Sequence, residues 1–122
     1  MDYSFFRKYE SGTEIKFKIL TKVNQNCSEK IKRIICEFLQ NEIVMDRFYE
    51  DENDFGELYE SEQYLFVVNS WHGKGITLDV YGTINITRAK IYQLNDLLSN
   101  EFKDENISRV VWKKGWSTEV SL

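Results

Sequence analysis

From Ile76 to Ile86 the chain alternates. Ile76, Leu78, Val80, Ile84 and Ile86 fall in one phase, and Thr77, Asp79, Tyr81, Thr83 and Asn85 in the other. Successive strand side chains point to opposite faces, so this pattern requires a strand with one dry face. A helix would scatter the same residues around its axis. Gly82 falls within the apolar phase and marks a bend or bulge. A dry face must be covered by another element, and that need constrains the rest of the chain.

The other segments answer it. Thr13 to Val23 places Ile15, Phe17, Ile19 and Val23 opposite Glu14, Lys16, Lys18 and Lys22, with Leu20 as the apolar exception, which predicts a second half-buried strand. Tyr64 to Trp71 (YLFVVNSW) is apolar on both faces, as a central strand would be. His72-Gly73-Lys74-Gly75 is a glycine-rich reversal suited to a hairpin. Ile107 to Trp112 reads as a strand, and Trp116 to Leu122 as a last short one. Residues 42–50 fit a strand better than a continued helix, because Asn41 is a plausible stop. Residues 50–57 read as a loop: consecutive like charges resist burial, and Gly56 permits a turn.

Two stretches repeat at helical spacing. Ile31, Ile34, Ile35, Phe38 and Leu39 form one stripe, with Asn26 and Glu29 as a predicted capping box and Asn41 as the left-handed stop. Ile91, Leu94, Leu97, Leu98 and Phe102 form the other, capped by Thr87 and ending near Lys103. Each helix has one apolar stripe. The simplest packing is therefore an α+β domain: a mixed or mainly antiparallel sheet of five to six strands with both helices on one face. The order is β-α-β-β-β-α-β, which admits a ferredoxin-like variant. At 122 residues one domain, 1–122, is expected.

Charge is distributed unevenly. The whole chain carries −4, but Glu42 to Glu62 (EIVMDRFYEDENDFGELYESE) holds nine carboxylates against Arg47 alone. Phe48, Tyr49, Phe55, Leu58 and Tyr59 are interleaved with them. Catalytic or metal chemistry finds little support. His72 is the only histidine, and a catalytic zinc needs three protein ligands, usually nitrogen or sulfur. Gly73-Lys74-Gly75 lacks the spacing of a phosphate-cradling loop. Asp51, Asn53, Gly56, Leu58 and Glu62 fit part of a calcium-loop pattern, but Phe55 stands where an oxygen ligand is needed. No cofactor and no metal are expected. Tyr64, Phe66 and Tyr81 are candidates for stacking bases, but the net charge opposes phosphate contact, so nucleic acid is not the expected ligand. No apolar run approaches the ~18 residues of a membrane span, and residues 1–12 lack a signal-peptide pattern. A cytoplasmic protein is expected. Cys27 and Cys36 would sit about 13 Å apart along a helix, beyond the ~7 Å a disulfide allows. Free thiols are expected.

What remains is a docking surface for a basic protein. Clustered carboxylates raise the encounter rate with a positive surface, and aromatic residues supply buried anchors. Glu50, Asp51, Glu52, Asp54, Glu57 and Glu60 would meet the partner's cationic cleft, with Phe55 and Tyr59 as anchors.

The acid–aromatic run FYEDENDFGELYESE and the strand-to-helix passage ITLDVYGTINITRAKIYQLNDLL give the chain a general resemblance to the immunity proteins of bacterial polymorphic and contact-dependent toxin systems. The resemblance implies a small cytoplasmic α+β protein that binds and blocks one cognate toxin domain, often a nuclease. Phage anti-defence proteins that mimic DNA charge resemble it in the same way. A small enzyme using His72 with Asp79 or Glu62 is the alternative of a different class. A homodimer formed through Trp112 and Trp116 is another.

Overall fold

The first strand lies at the middle of the sheet. The elements are β1 (Glu14–Leu20), α1 (Gln25–Leu39), β2 (Val44–Glu50), β3 (Phe55–Glu60), β4 (Tyr64–Trp71), β5 (Gly75–Gly82), α2 (Arg88–Glu101), β6 (Asn106–Lys113) and β7 (Trp116–Ser121). They come from a computed structural model that describes residues 12–40, 44–50, 54–71, 73–83, 85–103, 105–113 and 116–121. All seven strands join one antiparallel sheet in the order β2-β3-β4-β5-β1-β6-β7.

The four strands β4-β5-β1-β6 form a ferredoxin-like core, since α2 links β5 to β6 across the intervening β1. The hairpin β2–β3 extends this core at one rim and β7 extends it at the other. The α+β class, the antiparallel sheet and the packing of both helices against one face stand as expected. The sheet is wider than expected by β3. Residues 55–57, read as loop, belong to that strand, because the chain alternates inward and outward there despite its charge.

The alternation of β1 sets the core. Ile15 lies opposite Val80 and Val111, Phe17 opposite Leu78 and Arg109, and Ile19 opposite Ile76 and Ile107. Ile15, Phe17, Ile19, Ile76, Leu78 and Val80 are all fully buried. Phe66 and Val68 of β4 continue the same layer, and Leu65 is buried on the other face, as a central strand's would be. From above, α1 contributes Ile31, Ile34, Ile35 and Phe38, and α2 contributes Ile91, Leu94 and Leu98. Each such side chain contributes about 1.5–3 kcal/mol on burial. At the β4–β5 turn, a Cβ on Gly75 would meet the Trp71 ring and approach the Ile19 carbonyl oxygen to 2.8 Å. Only glycine permits this approach.

Two caps differ from expectation. The α1 N-cap is Asn24, whose side chain accepts from the Asn26 N–H at 2.8 Å, and Asn26 is already helical. The left-handed stop is Gln40 (φ 56°), whose N–H donates to the Cys36 carbonyl at 2.9 Å. Thr87 caps α2 as predicted and accepts from the Lys90 N–H. Both cysteines are free thiols, Cys27 buried and Cys36 exposed. Among the described residues no helix is long and apolar enough to cross a membrane.

Candidate functional site

The acidic stretch folds into the hairpin β2–β3 at the rim of the sheet, so the two-residue period of a strand sorts its side chains. Phe55, Glu57 and Tyr59 share one phase and face the helices. Glu57 and Tyr59 are completely buried and Phe55 is nearly so. These three are corrected: side chains closed inside the core cannot meet a partner, so they are neither its carboxylate nor its anchors. The Tyr59 hydroxyl donates to Glu57 Oε2, and the Ser28 hydroxyl of α1 donates to Glu57 Oε1. Arg47 is the residue opposite Glu57 in the ladder. Glu57 thus ties the hairpin to α1 through a buried polar network, which such a group needs to offset its desolvation.

Asp54, just before β3, is partly exposed and structurally engaged. Its Oδ1 accepts from the Ser70 hydroxyl and from the Gly73 N–H, both at 3.0 Å. Gly73 holds φ 67°, a left-handed turn conformation. The Ser70 hydroxyl also accepts from the Phe55 N–H at 2.7 Å, and the Tyr49 hydroxyl donates to the Ser70 carbonyl at 3.2 Å. This cluster fastens the β2–β3 end to the β4–β5 turn. Glu60 is partly exposed and lies in the opposite phase to Glu57, on the sheet face away from the helices. Glu50 ends β2, opposite Phe55 in register. Asp51, Glu52 and His72 lie outside the described residues. The eight predicted partner-binding residues therefore do not form one patch. Among the described ones, Glu60 lies on the face away from the helices and Asp54 serves the turn.

Past β3, the turn Ser61–Gln63 opens onto a groove of about 590 Å³ lined also by Phe38, Leu39, Tyr64 and Lys90. The rings of Phe38 and Tyr64 meet edge to face at 5.2 Å, and the Lys90 ammonium lies 5.4 Å from the centre of the Phe38 ring. Burial raises the Tyr64 hydroxyl's pKa above the usual phenol value.

A second polar cluster occupies the open face of the sheet. Asp79 faces Lys16 across the β1–β5 ladder, with Lys16 Nζ at 4.0 Å, an ion pair too long to be a hydrogen bond. Asp79 Oδ1 is buried and accepts no hydrogen bond. Burial pushes the Asp79 carboxyl up to about 6, Lys16 pulls it down, and Glu14 adds to the rise. Burial, with Asp79 and Glu14 nearby, also raises the Tyr81 hydroxyl. The native state holds this proton to a higher pH than the unfolded chain does. Stability is therefore lost as pH rises from about 4 to about 6, and the penalty is full above that. Asp79→Asn is expected to stabilise the protein at pH 8 by about 1–2 kcal/mol, solvent at the open sheet face screening part of the charge. At pH 3.5 the same substitution is expected to be neutral. Urea titrations at both pH values check this.

Among the described residues, no group of three or more His, Cys, Asp or Glu side chains converges as metal ligands would. No family model, curated protein or solved structure matches the chain. The fold and surface define a class: a ferredoxin-like α+β domain widened at one rim by an acidic hairpin.

Proposed function

We propose that this protein acts by stoichiometric binding, as an inhibitor or immunity protein that covers the cationic cleft of a basic partner such as a toxin nuclease domain. What supports this reading is the charge of the segment Glu42–Glu62, nine carboxylates against one arginine in the sequence. Its described strands β2 and β3 lie at the sheet's rim, and Glu57 is the only described carboxylate there that is fully buried. A rim hairpin can enter a cleft without disturbing the core behind it. The carboxylates steer the encounter and pair with the cleft's lysines and arginines. Glu50, Asp51, Glu52 and Glu60 are the proposed contact residues. Asp54 is left out, because losing it would release the Gly73 turn.

The test is calorimetric titration against the purified product of the adjoining gene, where a toxin would be encoded. One-to-one binding is expected, weakening as salt rises, because exposed charge contacts are screened over ~10 Å at 0.1 M. Joint Asp51→Lys and Glu52→Lys substitution is expected to weaken binding about 10- to 100-fold at low salt with an unchanged melting temperature. Undiminished affinity removes the acidic hairpin from the mechanism.

A further inference from the structure

The groove past β3 carries two opposite charges that the fold leaves unused. Phe38 and Leu39 at the end of α1 form one wall, and the turn Ser61–Gln63 with Tyr64 forms the other. Lys90, in the first turn of α2, closes it. Glu62 and Lys90 are both exposed. Among the described residues, neither has an ion-pair partner. The Lys90 ammonium rests instead against the Phe38 ring. Hydrogen bonds fix the walls in advance. The Ser61 N–H donates to the Tyr64 carbonyl at 2.9 Å, and the Tyr64 N–H donates to the Ser61 hydroxyl at 3.2 Å. The Thr83 N–H donates to the Gln63 carbonyl at 3.0 Å, which ties the turn to the end of β5. At about 590 Å³, the groove falls within the ~300–1,000 Å³ of preformed small-molecule sites.

We propose that this groove binds a free α-amino acid with a bulky apolar side chain. The ligand's carboxylate pairs with Lys90, its ammonium pairs with Glu62, and its side chain lies along Leu39 and the Tyr64 ring. Charge complementarity selects the zwitterion. A simple anion would meet Glu62, a simple cation would meet Lys90, and like charges side by side are unfavourable. A neutral apolar molecule would desolvate both charged groups and pair neither.

The apolar wall selects the side chain. Leu39 and Tyr64 pack on the core but are only partly buried, and both line the groove. A ligand with a small polar side chain would leave that surface in water. The groove is open and its polar contacts are few, so the affinity is modest, with a Kd of about 0.1–1 mM. This reading does not rest on the basic partner proposed above. Glu62 is the one carboxylate it uses, and Glu62 is not among the proposed partner contacts.

The experiment is an amide NMR titration of the full chain with four probes. L-Phenylalanine carries both charges and a ring. 3-Phenylpropionate lacks the ammonium, 2-phenylethylamine lacks the carboxylate, and L-serine lacks the apolar side chain. L-Phenylalanine is expected to give saturable shifts at residues 61–64 and 90, and each of the others to bind at least threefold more weakly. Circular dichroism confirms that each variant folds. Lys90→Gln is expected to weaken L-phenylalanine and 3-phenylpropionate about three- to tenfold and to leave 2-phenylethylamine unchanged. Glu62→Gln is expected to weaken L-phenylalanine and 2-phenylethylamine by the same factor and to leave 3-phenylpropionate unchanged. The absence of saturable shifts at about 10 mM L-phenylalanine, well above the expected Kd, overturns the proposal. So do shifts confined to other residues, 3-phenylpropionate binding as tightly as L-phenylalanine, or folded Lys90→Gln and Glu62→Gln variants with unchanged affinity.

Discussion

Glu57→Ala is expected to lower the free energy of unfolding by about 3–5 kcal/mol, measured by urea denaturation. Glu57 has no solvent exposure, and its carboxylate accepts hydrogen bonds from the Ser28 and Tyr59 hydroxyls. Truncation removes that acceptor from both hydroxyls, Tyr59 being fully buried and Ser28 half-buried, and losing a buried hydrogen-bond acceptor costs about 1–3 kcal/mol. It also opens a cavity beneath α1. Glu57→Gln keeps the shape and one acceptor oxygen, so its loss is expected to be smaller, about 1–2 kcal/mol. Adding Ser28→Ala and Tyr59→Phe to Glu57→Ala removes the two hydroxyls that had donated to the carboxylate. The triple variant is expected to lose less than the three single losses combined. An exposed docking carboxylate would behave differently, with a change within about 0.5 kcal/mol. A near-zero result for Glu57→Ala would show that the side chain faces solvent.

Phe17→Ala is expected to cost about 3–5 kcal/mol, a third or more of the stability of a typical domain. Phe17 is completely buried on the central strand, between Leu78 and Arg109 in register. Rigid ladders on both sides keep the site from collapsing, and that places the loss in the upper part of the cavity range. Leu20, on the same strand but 44% exposed, is the control. Leu20→Ala is expected to change stability by no more than about 0.5 kcal/mol. Equal losses at the two positions would mean that β1 does not separate a dry face from a wet one.

Elements whose burial follows their periodicity were legible in the sequence. The alternation of Ile15, Phe17 and Ile19 and of Ile76, Leu78 and Val80 placed two central strands, and the stripe through Ile31, Ile34, Ile35 and Phe38 placed α1. β3 was hidden because Glu57 occupies an inward position that a pattern reader scores as polar. Phe55 and Tyr59 share its phase, and Ser28 sits three residues before Ile31 on the same helix stripe. A polar residue on an apolar stripe needs a buried partner, and that was the readable signal. The caps shifted because Asn24 and Asn26 both satisfy the N-cap rule, and the choice between them depends on where the preceding strand releases the chain. Sequence neighbours in the acidic run were read as one surface, whereas a strand sends them to opposite sides.

The central place of β1 also governs how the molecule is made. Ile15 leaves the ribosome well before its partners Val80 and Val111. At about 5–20 residues per second, this half-apolar ribbon waits for several seconds without its neighbours. Lys16 and Lys18, spaced between Ile15, Phe17 and Ile19, act during that interval as gatekeepers against self-association. Their value is greatest before the native state exists.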